Sequence, residues 1–259
     1  MLEEETRPRL VTHGDRLLLI LRGVNLNPGA EPDDMISLRL WLEAGRVITL
    51  RHRRLLAVQD VRQQLAAGRG PRTTGDLLVA IAAGLVSRQS SVLDAMEDNV
   101  DEVEERLLTH PAQELRVRLA DFRRQAIGLR RYIAPQRDVL FRLMHEKIAW
   151  IDDLQRARLR EVSEHQVRLV EEVDAVRERA SVTQEELSGR LAEQMNRNTY
   201  VLSIVAGVFL PLGLLTGLLG INVGGIPGTE SPYAFAIVCA LLVVLSAGMA
   251  WFFHRFRLL

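Results

Sequence analysis

The stretch at 217–228, GLLGINVGGIPG, contains five glycines and one proline, and its one polar side chain is Asn222. Glycine contributes no side-chain packing and loses more conformational freedom on ordering than any other residue. This composition predicts that the bare backbone or the amide of Asn222 serves a function. An amide oxygen is a hard ligand, suited to a cation that keeps much of its hydration water.

A stripe of mostly small and polar residues, at a spacing of three and four, runs into this stretch. They are Asn196, Thr199, Ser203, Ala206, Leu210, Gly213, Gly217 and Gly220. In lipid, such a stripe indicates a close contact between two helices, whereas in a ring of identical helices it lines a central passage. No Asp, Glu, His or Cys lies in 200–223, so the stripe offers neutral oxygens rather than the ligands of a dehydrated transition metal.

The charges are divided sharply along the chain. Its 33 basic and 33 acidic side chains give a formal net charge of +0, which argues against a nucleic-acid partner. No charged residue lies in 198–229 or in 231–253. As a helix, each of the apolar runs 200–220 and 233–253 is about 30 Å long, which matches a bilayer core. We therefore expect a charged soluble part followed by two membrane spans.

The flanks of the spans predict their orientation. The loop 221–232 has no Lys or Arg, whereas Arg190, Arg197, Arg255 and Arg257 flank the spans on the other side. Positive residues stay inside, so both termini are expected in the cytoplasm. The single cysteine, Cys239, lies in the second span and is interpreted as a packing residue.

The soluble part begins with strands and continues with helices. RLVTHGDRLLLILRGVNL and SLRLWLEAGRVITLRHR read as two hairpins. A short helix at 58–68, a helix from GPRTTGD to about Leu108 and a helix from Pro111 to about Pro135 follow. The predicted domains are 1–135 (α/β), 136–199 (a long stalk helix), 200–220 (first span), 221–232 (external loop), 233–253 (second span) and 254–259 (cytoplasmic tail).

The stalk helix is predicted to run without interruption from Gln136 to Gly220. Its apolar residues follow a heptad-like stripe, which indicates packing against neighbours or copies of itself. The stripe consists of Leu159, Val162, Leu169, Val173, Val176, Ala180, Leu187 and Leu191. Gln166 and Thr183 interrupt it and predict a partly hydrated bundle, and we expect the stripe to continue into the small-residue stripe of the first span.

The soluble part also contains an acidic segment, for which there are two interpretations, and scattered histidines. The segment MEDNVDEVEE carries Glu97, Asp98, Asp101, Glu102, Glu104 and Glu105. We interpret it as a solvated helix face partly balanced by Arg88 and Arg106; the alternative is a surface that concentrates cations. The six histidines lack ligand spacing, and no motif of an enzyme is present, so we expect no catalytic activity and no cofactor.

The segment YVLSIVAGVFLPLGLLTGLLGINVGGIPG resembles the CorA superfamily of divalent-cation transporters. Gly220-Ile221-Asn222 stands where the superfamily signature has Gly-Met-Asn, and GINVGGIPG is similar to the ZntB-like branch associated with zinc. The upstream segments EETRPR, ISLRLWL and RRLLAVQDVR also resemble that branch. Relatives carry further strands before the point where this chain begins, so we expect a smaller domain or a later start.

The resemblance implies a CorA-like homopentameric funnel in the inner membrane, with the first span lining the pore and the second forming an outer ring. It assigns Gly220 and Asn222 to the selectivity motif, with a hydrated ion at Asn222, and matches Thr199, Leu202, Leu210, Gly213 and Gly217 to pore-lining positions. The transported ion is then Zn²⁺, with Mg²⁺, Co²⁺ or Ni²⁺ as alternatives. An alternative outside the transporters is a membrane-anchored coiled-coil scaffold or sensor.

Overall fold

The computed structural model describes residues 6–31, 33–107, 112–220 and 231–255. The chain forms two compact units, Met1–Leu187 and Ser188–Leu259. Four strands and five helices follow one another in the described residues: β1 Arg9–His13, β2 Arg16–Gly23, β3 Ile36–Glu43, β4 Arg46–Arg51, α1 Leu56–Ala66, α2 Thr74–Arg106, α3 Ala112–His145, α4 Asp153–Leu219 and α5 Ala234–Arg255.

The strands form one antiparallel sheet in the order β1-β2-β3-β4, and both predicted hairpins are confirmed. Each hairpin turns in two residues, and Gly14 (φ +59°) and Gly45 (φ +80°) take the left-handed conformation that these turns require. Alternate residues of β2 and β3 point to the same face. That face is fully buried and consists of Leu17, Leu19, Leu21, Leu38, Leu40 and Leu42.

The first two helices begin and end close to the predicted positions. Gly68, at φ +70°, follows the C-terminus of α1. The Thr73 side chain caps α2 by accepting a hydrogen bond from the Asp76 amide at 3.1 Å. Helix α2 ends at Arg106, two residues before the predicted end.

The prediction of one helix from Gln136 was wrong, because α3 continues through Pro135 to His145 and α4 begins at Asp153. Proline removes one helical hydrogen bond, but Ile133 and Gln136 on either side are fully buried and hold the helix together. The break lies at 146–152. There, Arg156 donates hydrogen bonds to the carbonyls of Glu146 (2.6 Å) and Ile148 (3.1 Å).

Two buried glutamines join helices to the sheet, and a third, Gln166, joins α4 to α3. The Gln136 side chain accepts a hydrogen bond from the backbone amide of Arg22 at 2.7 Å, and Gln89 donates one to the Arg22 carbonyl at 2.9 Å. Gln136 also donates to Gln166 at 3.3 Å. Gln166 and Thr183 are buried and hydrogen-bonded, so the prediction of a partly hydrated bundle was wrong.

The buried stripe of α4 follows the prediction as far as Leu187, which is 2% exposed. Leu191 is half-buried, and the residues from 192 to 203 are exposed. The expected continuation into the small-residue stripe stays a prediction.

Candidate ion pathway

In the second unit, α4 and α5 each have one partly buried stripe. On α5 it consists of Ala234, Val238, Leu242, Ser246, Met249 and Phe253, and on α4 of Ile204, Gly207, Val208, Leu212 and Leu215. The two stripes meet at Gly207, where an added Cβ would lie 3.4 Å from Cζ of Phe253. An alanine at 207 would therefore be in van der Waals contact with Phe253.

The residues predicted to line a pore share the opposite side of α4. All of them are exposed: Asn196, Thr199, Leu202, Ser203, Ala206, Leu210, Gly213, Gly217 and Gly220. Leu202 lies at the edge of this face, which we call the pathway face. Apart from the nearby backbone of α4 itself, no atom of the described chain lies within 4 Å of a Cβ added at Gly213 or Gly217. The structure thus brings these residues together on one face that α5 leaves uncovered.

Two hydroxyl groups of this region are bound to the helix backbone. Ser203 donates to the carbonyl of Thr199 at 2.8 Å, and Thr216 donates to the carbonyls of Leu212 (3.0 Å) and Gly213 (3.1 Å). A hydroxyl group that donates its hydrogen inward keeps its oxygen lone pairs as acceptors. Ser203 therefore offers a neutral oxygen on the pathway face.

Pro211 lies inside α4 without ending it. It has no N–H group, so the carbonyl of Gly207, one turn earlier, lacks its helical donor. Gly207 belongs to the stripe that meets α5. Gly207 is also four residues after Ser203, about 40° around the helix, so the carbonyl freed by Pro211 lies at the edge of the pathway face.

The predicted selectivity motif is described only at Gly220. The Gly220 amide lies within hydrogen-bond distance of the carbonyls of Thr216 (2.9 Å) and Gly217 (3.2 Å). A Cβ at this position would lie 3.1 Å from the Thr216 carbonyl oxygen, which is tight for any side chain. Ile221 and Asn222 lie outside the described residues, so their predicted roles stay predictions.

Three helices in the described part of the chain are long and apolar enough to cross a membrane, judged by length and composition. They are α2, α4 and α5. The apolar window of α2 is half buried inside the first unit, whereas those of α4 and α5 are 0% buried. Packing against the sheet accounts for the apolar face of α2, and α4 and α5 remain the candidate spans.

The acidic segment of α2 is partly engaged inside the first unit. Arg179 of α4 contacts both Asp101 and Glu104, and these carboxylates raise its pKa. Glu102 pairs with Arg106 at 2.6 Å and with Arg118 at 2.8 Å. This segment is therefore more than the solvated face that was predicted, because half of it holds α2 against its neighbours.

Two other charged groups of the first unit depart from the sequence interpretation. Burial, together with the nearby Glu172 and other carboxylates, raises the pKa of Glu97. Arg88, predicted to balance the acidic segment, pairs with Asp60 instead. Among the described residues, no three His, Cys, Asp or Glu side chains lie close enough to hold a metal ion.

The sequence interpretation missed a junction between the first turns of α2 and α4. Asp152 and Gln155 form a reciprocal capping box. The backbone amide of Gln155 donates to the Asp152 carboxylate at 2.7 Å, and the backbone amide of Asp152 donates to the side-chain oxygen of Gln155 at 3.1 Å. Gln155 also donates to Thr73, the cap of α2, at 2.8 Å. The signals were present in TTGD and DDLQ.

The four-stranded sheet, the long helices and the two apolar spans define a membrane protein with a neutral pathway face on its longest helix. Residues 1–255 match the model of the family described as CorA-like Mg2+ transporter protein. The chain belongs to this family of transporters, so the resemblance is confirmed, and its class of activity is divalent-cation transport rather than enzymatic catalysis.

Two relatives illustrate the similarity. The chain is 44% identical over 259 residues to the "Divalent cation transporter CmaX" of Pseudomonas aeruginosa, covering 99% of this chain and 78% of the relative. It is 40% identical over 250 residues to the "Zinc transport protein ZntB" of Yersinia enterocolitica, covering 96% of this chain and 76% of the relative.

Solved structures confirm the fold class. The full-length CmaX structure superposes with a TM-score of 0.84 at 44% identity, covering 98% of this chain and 79% of that one. The CorA magnesium transporter of Methanocaldococcus jannaschii superposes with a TM-score of 0.86 over 98% of this chain and 80% of its own. At 20% identity, the second likeness establishes the fold alone.

Proposed function

We propose that this chain transports Zn²⁺ across the inner membrane through a central pore formed by five copies. The observation that carries the proposal is the pathway face of α4, whose small and neutral residues are exposed on the side opposite the α5 contact. Five such faces arranged around an axis would line a passage with hydroxyl, carbonyl and glycine surfaces. Weak contacts at many positions are what conduction of a hydrated cation requires.

The choice of zinc rests on the relatives named as zinc transport proteins and on the GINVGGIPG segment. The pathway face itself has no ligand that prefers a dehydrated transition metal. Selection on the pathway face would then act on a largely hydrated ion, with Asn222 as its first polar contact at the outer mouth.

The proposed orientation has both termini in the cytoplasm and the loop 221–232 outside. It is supported by Arg190, Arg197 and Arg255 on one side of the spans and by the absence of Lys and Arg from the loop. Accessibility labelling of a cysteine introduced at Ser231, in a Cys239→Ser background, tests it. Labelling from the outside is expected, and labelling only from the cytoplasmic side contradicts it.

Flux into proteoliposomes tests the transport proposal. The purified chain is expected to admit Zn²⁺, and Asn222→Ala is expected to reduce the flux about tenfold or more, the change that about 1.4 kcal/mol in the barrier produces. Tyr233→Phe is the matched control, because it removes a polar group from an exposed position near the same end of the span. Wild-type flux in Asn222→Ala would contradict the role of Asn222.

A second candidate is Mg²⁺, Co²⁺ or Ni²⁺, favoured by the family description as a Mg2+ transporter. Competition among the four metals in the same flux assay separates the two candidates. Zinc uptake that an excess of Mg²⁺ leaves unchanged supports the first, and Mg²⁺ uptake that excludes zinc supports the second. An intact oligomer with no metal-dependent flux would favour the membrane-anchored scaffold instead.

A further inference from the structure

Helices α2 and α3 flank α4 on different sides. Arg179 of α4 contacts Asp101 of α2, whereas Asp174 of α4 accepts a hydrogen bond from Arg130 of α3 at 2.5 Å. Residues 174 and 179 are five positions apart, which places them about 140° apart around the helix. Each of the two flanking helices therefore has its own outward face.

The outward face of α2 is acidic. Its exposed residues recur every three or four positions: Ser87, Ser91, Asp94, Asp98, Asp101 and Glu105. Asp101 is held by Arg179, but Asp94, Asp98 and Glu105 have no basic partner within the described part of the chain. We call these three residues the acidic face.

The outward face of α3 is basic and partly apolar. Arg116 and Arg123 are exposed and pair with no carboxylate among the described residues. Val117 and Ile127, 55% and 50% exposed, lie beside them. We call these four residues the basic face. Exposed aliphatic side chains framed by unpaired arginines are typical of a surface that another protein covers.

The two faces lie at the same height along the molecule. The ion pair between Arg118 and Glu102 at 2.8 Å fixes the level of α2 against α3. Going away from the α2–α3 connection, Asp98 is four residues from Glu102, and Arg123 is five residues from Arg118. At 1.5 Å per residue, these displacements are about 6 and 7.5 Å.

We propose that the acidic face of one copy docks on the basic face of the next copy, with Asp98 beside Arg123 and Glu105 beside Arg116. Copies related by rotation about an axis along the helices keep equal heights, so opposite charges meet at every junction. Two different, complementary faces on one chain make a heterologous contact, the kind that closes into a ring. This inference rests on the homo-oligomer of the proposed function and names its cytoplasmic contact.

Cross-linking between differently tagged chains tests the contact. In a Cys239→Ser background, one chain carries Asp98→Cys and the other carries Arg123→Cys, and both are produced together and briefly oxidised in the membrane. A disulfide-linked species that contains both tags is expected. The control pairs Arg123→Cys with Glu178→Cys, an exposed position of α4 outside the acidic face, and is expected to give no such species.

Charge reversal provides a second test of the contact. The reversed side chains are exposed in the single chain. Arg123→Glu is expected to reduce the oligomer seen by native mass spectrometry, and adding Asp98→Arg to the same chain is expected to restore it. Two outcomes overturn the docking but leave the proposed oligomer standing. One is a disulfide in the control pair instead of the first pair, and the other is an intact oligomer that Arg123→Glu does not affect. A wild-type chain that is monomeric overturns both.

Discussion

The two units differ in where their apolar side chains lie. In the first, leucines such as Leu19 and Leu40 are 0% exposed, and the buried Gln136 donates a hydrogen bond to the buried Gln166. In the second, no described residue is fully buried, and Phe235 and Leu210 are 81% and 74% exposed. The first unit is specified by contacts inside one chain. The second presents surface that lipid and further copies can cover, because apolar side chains lose nothing in contact with lipid.

Removing a large side chain from each unit gives the largest expected contrast. Leu40→Ala leaves a cavity in a close-packed core and is expected to reduce the free energy of unfolding by about 2–5 kcal/mol. Leu210→Ala removes a similar side chain from an exposed position and is expected to change it by roughly 0.5 kcal/mol or less. Denaturant unfolding of the purified chain in detergent, followed by tryptophan fluorescence, measures both.

A comparable loss in Leu210→Ala would contradict the comparison, because it would show that the second unit has a core of its own. Tryptophan-to-phenylalanine replacements assign the fluorescence to one unit or the other. Trp41 and Trp150 belong to the first, and Trp251 belongs to the second. A transition shifted only at the first two tryptophans is the expected signature of Leu40→Ala.

Two glycines on long helices give the next contrast. A Cβ at Gly75 would lie 1.9 Å from Oε1 of Gln155, the residue that joins the first turns of α2 and α4. Gly75→Ala is expected to reduce the free energy of unfolding by about 1–3 kcal/mol through overpacking. Gly189→Ala, on the second unit's side of α4 and open to solvent, is expected to increase it by about 0.5–1 kcal/mol. Changes of opposite sign in the free energy of unfolding support the contrast between the two glycines, and changes of equal sign would contradict it.

Adding a side chain to the pathway face tests the second unit by function rather than stability. Gly213 has open space around it in the single chain, so Gly213→Leu is expected to leave unfolding unchanged. In the proposed pore, the same leucine narrows the passage and is expected to reduce flux about tenfold or more, equivalent to about 1.4 kcal/mol in the barrier. Gly248→Leu on α5, equally open, is the matched control. Equal flux in both variants would place the passage elsewhere.

Sequence reasoning succeeded where one local signal decides the outcome. The hairpins follow from alternating residues and the turn glycines Gly14 and Gly45. It failed at Pro135, where a weak local break competes with burial of the residues on either side. It also missed the break between α3 and α4 at 146–152, because no proline or glycine marks that segment.

The smallest expected effect is a pH dependence at the acidic segment of the first unit. Burial and the neighbouring Glu172 raise the folded-state pKa of Glu97 above its ordinary value. A carboxyl group with a raised pKa favours folding below its unfolded-state pKa, and that contribution is lost as the pH rises through the folded-state pKa. At neutral pH the charged Glu97 therefore opposes folding.

Glu97→Gln is accordingly expected to increase the free energy of unfolding at pH 7 by about 0.5 kcal/mol or less, as for other surface substitutions. The difference from the wild type should vanish below about pH 4, where Glu97 is protonated in both states. Asp76→Asn is the opposite control, because its hydrogen bond from Thr73 lowers its pKa. Its carboxylate stabilises the fold at neutral pH and stops doing so as the pH falls. Unfolding midpoints that move in the same direction for both variants at pH 7 would contradict these assignments.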